Sequence, residues 1–136
     1  MGRILAIDYG TKRTGIAITD DLQLIASGLT TVSTRELIPF LEAYFSEENV
    51  ELVLVGEPRQ KDGTHSAVEE EIKKFLTVFT EKYPEMKVIR VDERFSSKRA
   101  FQTMIDSGLK KKKRRDKALI DEISATIILQ DYLYNN

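Results

Sequence analysis

The sequence predicts a mixed α/β fold in which a five-stranded sheet carries helices on both faces. Two observations lead there. Three short apolar segments follow one another closely at the start of the chain, at Arg3–Tyr9, Ile16–Ile18 and Leu24–Val32, as an antiparallel meander requires. Beyond them, the apolar runs Val50–Val55 and Lys87–Val91 alternate with segments of helical periodicity, as expected for strands parallel to the first and joined by crossovers.

Each element has its own warrant. Gly10 to Gly15 reads as a tight polar turn between the first two strands, and Thr19-Asp20-Asp21 as the start of the second turn. Leu37, Phe40, Leu41, Tyr44 and Phe45 recur at 3.6-residue spacing, which predicts a helix. Ser33 and Glu36 have the spacing of a capping box, although Pro39 conflicts with that start. Val50–Val55 is continuous and β-branched, the mark of a strand buried on both faces. Glu57 to Ser66 reads as a polar loop, and Val68, Ile72, Phe75, Leu76 and Phe79 as the stripe of a second helix. Ser96 or Ser97 can cap a short helix carrying Ala100, Phe101, Met104 and Ile105, which Gly108 ends. Ala118 to Tyr134 then reads as a last helix with Ile120, Ile123, Ile127 and Ile128 inward.

Length and composition bound the function. The 136 residues suit a single domain spanning 1–136, and 41% hydrophobic with 32% charged residues is a globular balance. The net charge of -1 means that nucleic-acid affinity has to come from a local basic patch. Absence of cysteine excludes disulfides, thiolate zinc sites and a Cys nucleophile, and the single histidine, His65, excludes a multi-His metal site. His65 reads as an exposed loop residue. Any bound metal would take mostly oxygen ligands, which favours Mg²⁺ or Mn²⁺. No apolar stretch approaches the roughly 18 residues of a membrane span, so a soluble, cytoplasmic protein without a membrane partner is expected.

In sheets of this kind, sites gather where parallel strands end, which directs attention to Asp8, Glu57 and Glu93. Asp121, one turn inside the last helix, shares a face with Ser124, Ala125 and Ile128; the small Ser and Ala let its carboxylate reach inward, while a solvated Asp in the first turns is the other reading. Converging carboxylates repel unless cations pair with them, and hard divalent ions are the usual solution. Two such ions about 3.5–4 Å apart activate water and stabilise the leaving oxygen in phosphodiester cleavage. The basic run Lys110, Lys111, Lys112, Lys113, Arg114 and Arg115 directly precedes the helix of Asp121 and is placed to neutralise phosphates. Lys12 and Arg13 in the first turn, Arg59 and Lys61 in the Glu57 loop, and Arg94 extend that surface.

Four ordered blocks add a resemblance. Ile7-Asp8-Tyr9-Gly10 with Lys12-Arg13-Thr14-Gly15-Ile16-Ala17 resembles the opening signature of the YqgF family. Val55-Gly56-Glu57-Pro58 with Asp62-Gly63-Thr64 resembles its second block and Val91 to Ser97 its third. Ile120-Asp121 through Ile128 to Leu133 resembles its fourth. The match covers essentially the whole chain. It implies a ribonuclease H-like fold, a bacterial cytoplasmic setting and Mg²⁺- or Mn²⁺-dependent hydrolysis of nucleic-acid phosphodiesters, with Asp8, Glu93 and Asp121 as the acidic residues. RNA, in 5′-end processing of pre-16S rRNA on ribosomal precursor particles, is favoured over branched DNA. One departure stands out: Glu57 occupies a position that is usually apolar in the family, and a carboxylate there either adds a further metal ligand beside Asp8 or turns outward to pair with Arg59 or Arg94.

Three other functions compete. One is a Holliday junction resolvase-like DNA endonuclease, for which the sequence shows no dimer interface and leaves the oligomeric state open. Another is an ATPase-like phosphate-binding module, because Asp8-Tyr9-Gly10-Thr11 fits the first turn of actin-like enzymes, although those enclose nucleotide between two domains. The last is a non-catalytic RNA-binding protein that keeps the fold.

Overall fold

The computed structural model describes residues 2–58, 66–92 and 117–134. Strands β1 (Arg3–Asp8), β2 (Arg13–Thr19) and β3 (Ala26–Ser33) form the expected meander. A single 3-10 turn (Thr34–Glu36) leads into helix α1 (Leu37–Glu47), followed by β4 (Val50–Glu57), α2 (Glu69–Lys82), β5 (Lys87–Asp92) and α3 (Lys117–Tyr134). The sheet order is β3-β2-β1-β4-β5, with β2 antiparallel to its neighbours and β4 and β5 parallel to β1. The helix expected from Ser96 to Gly108 lies outside the described residues.

Strand alternation divides the core into two layers. Leu5 and Ile7 of β1, Ile16 of β2 and Val53 and Val55 of β4 face one side, where Leu37 and Leu41 of α1 and Ile72, Phe75 and Phe79 of α2 cover them. Ile4 and Ala6, Ala17, and Leu52 and Leu54 face the other, beneath Ala125, Ile128 and Leu129 of α3. β4 is therefore buried on both faces, with Val53, Leu54 and Val55 each at 0% exposure, which is why its sequence shows no alternation. Burial of a side chain the size of Phe79 contributes about 2–3 kcal/mol, so the α2 stripe alone holds this layer firmly.

Local differences from the sequence reading have identifiable causes. The expected turn through Gly15 closes earlier. Gly10 lies so close to the backbone of Arg13 that a Cβ there would sit 2.4 Å from its carbonyl oxygen, and the tight reversal starts β2 at Arg13. The capping box does not form: Ser33 makes no side-chain cap bond. Thr34 instead serves the first turn, its amide donating to the Lys12 carbonyl at 3.0 Å and its hydroxyl to the Gly10 carbonyl at 2.6 Å. Helix α1 begins only at Leu37, so Pro39 falls in the first turn, where its missing amide costs nothing. β4 runs on through Glu57 because Gly56 and Glu57 continue the ladder opposite Val91 and Asp92. In α3, Ile127 and Ile128 are buried as expected, but Ile120 and Ile123 are half-buried, and Ser124 and Ala125 take the innermost positions.

Gly15 explains that last difference. A Cβ on Gly15 would stand 2.0 Å from the carbonyl oxygen of Asp121 and 2.3 Å from its carbonyl carbon. The α3 backbone thus rests directly on β2, and only glycine leaves room for it. Gly15→Ala is expected to push the helix off the sheet at a cost of about 3 kcal/mol. That corresponds to a fall in melting midpoint of roughly 10 °C; an unshifted urea or thermal midpoint would contradict the contact.

Candidate active site at the carboxyl edge of the sheet

Asp8 is the last residue of β1 and shares the face of Ile4 and Ala6, the face that α3 covers. Directly across the antiparallel ladder is Gly15, and against Gly15 lies the backbone of Asp121. Residues opposite one another in a ladder project to the same side. Asp8 and Asp121 therefore flank one glycine, on one face, at the edge where β1 and β4 end.

Asp121 is held by a cation. Its Oδ2 accepts a hydrogen bond from Arg13 Nε at 3.0 Å, in an ion pair whose side chains are 25% and 40% exposed respectively. Arg13 is positioned from its backbone: it opens β2, pairs with Ser33 of β3, and follows the turn that Thr34 fastens. Thr34 donates to Gly10, so the hydroxyl of buried Thr14, 2.9 Å away, donates to Thr34 in turn. The same turn reaches α2 through Thr11, which donates to Glu71 at 2.8 Å, and through the Tyr9 ring, 5.6 Å from that of Phe75.

Burial pushes the Asp121 carboxyl above its ordinary value, while the hydrogen bond and charge of Arg13, and then the charge of Lys117, draw it part of the way back. Burial thus disfavours the ionised form even with Arg13 in place. Chemically, the edge offers hard carboxylate oxygens beside a guanidinium, a set suited to a small divalent cation or to phosphate.

The remaining expected site residues are distributed as follows. Glu57 ends β4 next to β1, so its backbone reaches the same edge. Strand alternation, however, puts it with Val53 and Val55 on the α2 face, opposite to that of Asp8. Lys12 sits in the first turn. Glu93, Arg94, Arg59, Lys61, His65 and Lys110 to Arg115 lie outside the described residues. Among the described residues no three carboxylates or histidines form a ready metal cluster.

Sequence reasoning missed one charged pair close to this edge. Glu69, 3% exposed, receives the two terminal amino groups of Arg90 at 2.8 and 3.0 Å. Arg90 also donates to the carbonyls of Val55 and Gly56 at 3.2 and 2.9 Å. The pair ties the start of α2 to the ends of β4 and β5. Nothing in the sequence separates Glu69 from its neighbours Glu70 and Glu71, whose place in the first turn of a helix is explained by the dipole alone.

These features define the class: a ribonuclease H-like α/β domain, with an acidic pair where the first strand meets the last helix. Comparison with known proteins carries it further. The family model described as "RuvX: Holliday junction resolvase" matches residues 2–135. A protein of Christiangramia forsetii is 69% identical over 134 residues, covering 98% of this chain and 99% of that protein. One from Flavobacterium psychrophilum is 65% identical over 133 residues, covering 98% and 97%, and one from Porphyromonas gingivalis is 50% identical over 135 residues, covering 99% and 98%. Each is named "Putative pre-16S rRNA nuclease". The chain belongs to the RuvX family, also called YqgF, as the four sequence blocks imply.

The strained carboxyl gives a pH signature. A raised folded pKa means that the folded chain holds this proton more tightly than the unfolded one. The corresponding stability is complete below the unfolded value of about 3.9 and is lost as pH rises through the folded value. Asp121→Asn, which cannot ionise, is therefore expected to gain stability relative to wild type as pH rises from about 4. Urea melts of both proteins across that range measure it, and a difference that stays constant with pH would contradict a strained carboxylate.

Proposed function

We propose that this chain is a single-domain, metal-dependent nuclease that hydrolyses phosphodiester bonds at the 5′ end of pre-16S rRNA. The observation that carries the reading is the meeting of Asp8 and Asp121 around Gly15, at the strand edge where this fold concentrates its chemistry. The names of the close relatives supply the substrate class.

The donor set fits the proposed cofactor. Both described carboxylates are hard oxygen ligands at one strand edge, a donor chemistry that suits a small divalent ion. Asp8 and Asp121 would hold Mg²⁺ or Mn²⁺ together with Glu93, which has the same sequence parity as Ile89 and Val91, the residues of β5 on the α3 face. Such an ion supplies Lewis acidity and a water made nucleophilic at neutral pH. The chain's own groups then align the substrate. Arg13, paired with Asp121, would take a backbone phosphate, and Lys12, Arg59, Lys61, Arg94 and Lys110 to Arg115 are the further basic residues that would bind the precursor. Glu57, by its face, belongs with the α2 side and not with the metal.

In the described residues no helix is long and apolar enough to cross a membrane, and work on precursor ribosomal particles would be done in the cytoplasm. The family description favours a second substrate, a four-way DNA junction.

One experiment separates the substrates: cleavage of precursor 16S rRNA, unstructured RNA and a four-way junction at matched salt and Mn²⁺. Precursor RNA is expected to be cut best. Asp8→Asn is expected to lose more than about a hundredfold in rate, beyond the 10–100-fold typical of removing a ligand's supporting partner. Preferential cutting of the junction would transfer the assignment to DNA, and cleavage surviving both Asp8→Asn and chelation would dismiss a metal mechanism. Glu57→Leu is expected to keep wild-type activity at limiting Mn²⁺; a raised metal requirement there would return Glu57 to the ligand set.

A further inference from the structure

We propose that Arg13 is an exchangeable counter-cation: it neutralises Asp121 while no metal is bound, and on metal binding transfers its guanidinium to a phosphate of the nucleic acid. The proposal rests on the nuclease reading above and adds to it a coupling between cation and substrate.

The two arginines of this edge differ in a telling way. Arg90 makes four hydrogen bonds, two to Glu69 and two to the carbonyls that end β4. It is clamped, and its partner is nearly inaccessible. Arg13 holds Asp121 through Nε alone among the described residues, and its side chain is 40% exposed. Its backbone is fixed by the β2–β3 ladder and by the Thr34 bonds to the preceding turn. A fixed backbone with a half-exposed side chain allows the guanidinium to move without disturbing the fold.

Charge then dictates what that movement does. The Asp121 carboxylate is mostly buried and needs a positive neighbour whether or not a metal is present. A divalent ion bound to this carboxylate would stand within a few ångströms of the guanidinium, and the two cations repel. Arginine cannot escape by losing its proton. The group that best replaces a carboxylate as its partner is a phosphate, which accepts the same fork of donors. Metal binding therefore prepares a phosphate contact that the metal-free chain does not offer, and by reciprocity phosphate binding strengthens the metal.

The test uses the full chain and two binding measurements. First, Mn²⁺ is titrated calorimetrically into RNA-free protein. Arg13→Gln is expected to bind Mn²⁺ about three- to tenfold more tightly than wild type, since an ion pair and a like charge are both removed, whereas Asp121→Asn is expected to bind it much more weakly. Second, the affinity for a labelled precursor-rRNA fragment is read by anisotropy with and without Ca²⁺, which takes similar oxygen ligands. Ca²⁺ is expected to tighten RNA binding to wild type, and the tightening to shrink about threefold or more in Arg13→Gln. Unchanged or weaker Mn²⁺ binding in Arg13→Gln, with wild-type binding intact and lost in Asp121→Asn, would overturn the exchange and leave the nuclease reading standing. Equal Ca²⁺ tightening in the two proteins would overturn the transfer to phosphate. Absence of saturable Mn²⁺ binding by wild type would overturn this proposal together with the metal-dependent reading.

Discussion

The contact between the backbone of α3 and Gly15 of β2 governs the geometry of the whole edge. A helix normally stands off a sheet by the depth of two side-chain layers, but here a Cβ on Gly15 would overlap the carbonyl of Asp121. The approach is prepared by Ala6 and Ala17, paired across β1 and β2, and by Ala125 on the helix, all fully buried. Gly28 continues the same accommodation into β3, where a Cβ would meet Glu122 Oε1 at 2.5 Å. Because the backbone is this close, the short side chain of Asp121 reaches the end of β2 and meets Arg13. With a larger residue at position 15 the two would be separated by roughly the thickness of a side chain, and the acidic pair around the glycine would not exist.

The second ordering principle is strand parity. β1, β4 and β5 end together, and carboxylates cluster there: Asp8, Glu57 and Asp92 are the last residues of their strands. Period-two alternation sorts them. Asp8 lies on the α3 side, whereas Glu57 and its ladder partner Asp92 follow Val55 and Arg90 on the α2 side. The sheet thereby keeps the charge of Asp8 apart from those of Glu57 and Asp92. Each side also has its own arginine, Arg13 with Asp121 and Arg90 with Glu69, one accessible and one enclosed.

Much of this was legible in the sequence, and the residues that were not show why. Hydrophobic periodicity located all the described strands and helices, and short links against long ones separated the antiparallel from the parallel part. Gly15 was legible as a glycine but not as a strand residue, since its requirement comes from a helix more than a hundred positions away. The Ser33–Glu36 spacing was misleading because Thr34 is engaged by a turn distant in sequence. For the site, strand end and helix face single out Asp8 and Asp121 in the sequence, whereas they leave Glu57 open between a metal ligand and an outward-turned loop residue. Only the register of β4 assigns it a face, and one residue of shift would reverse the answer. Glu69 was invisible among three consecutive glutamates for the same reason: its role depends on Arg90, brought in by β5.

The energetics of Asp121 then make sense of its placement. A carboxylate that served only the fold would be expected to sit where hydrogen bonds and cations favour its ionised form, as Asp20 does: its Oδ1 accepts from the amides of Leu24 and Ile25 at 2.8 and 2.9 Å, and its carboxyl is held below the ordinary value. Asp121 is the converse, pushed up by burial despite an arginine in contact. The fold thus tolerates a carboxylate whose ionisation costs stability, at the one place where β1, β2 and α3 converge. Such a cost persists when the unsatisfied charge has a use. Rigid backbone around Gly15 gives the site its position, and the lightly held Arg13 gives it the freedom to respond.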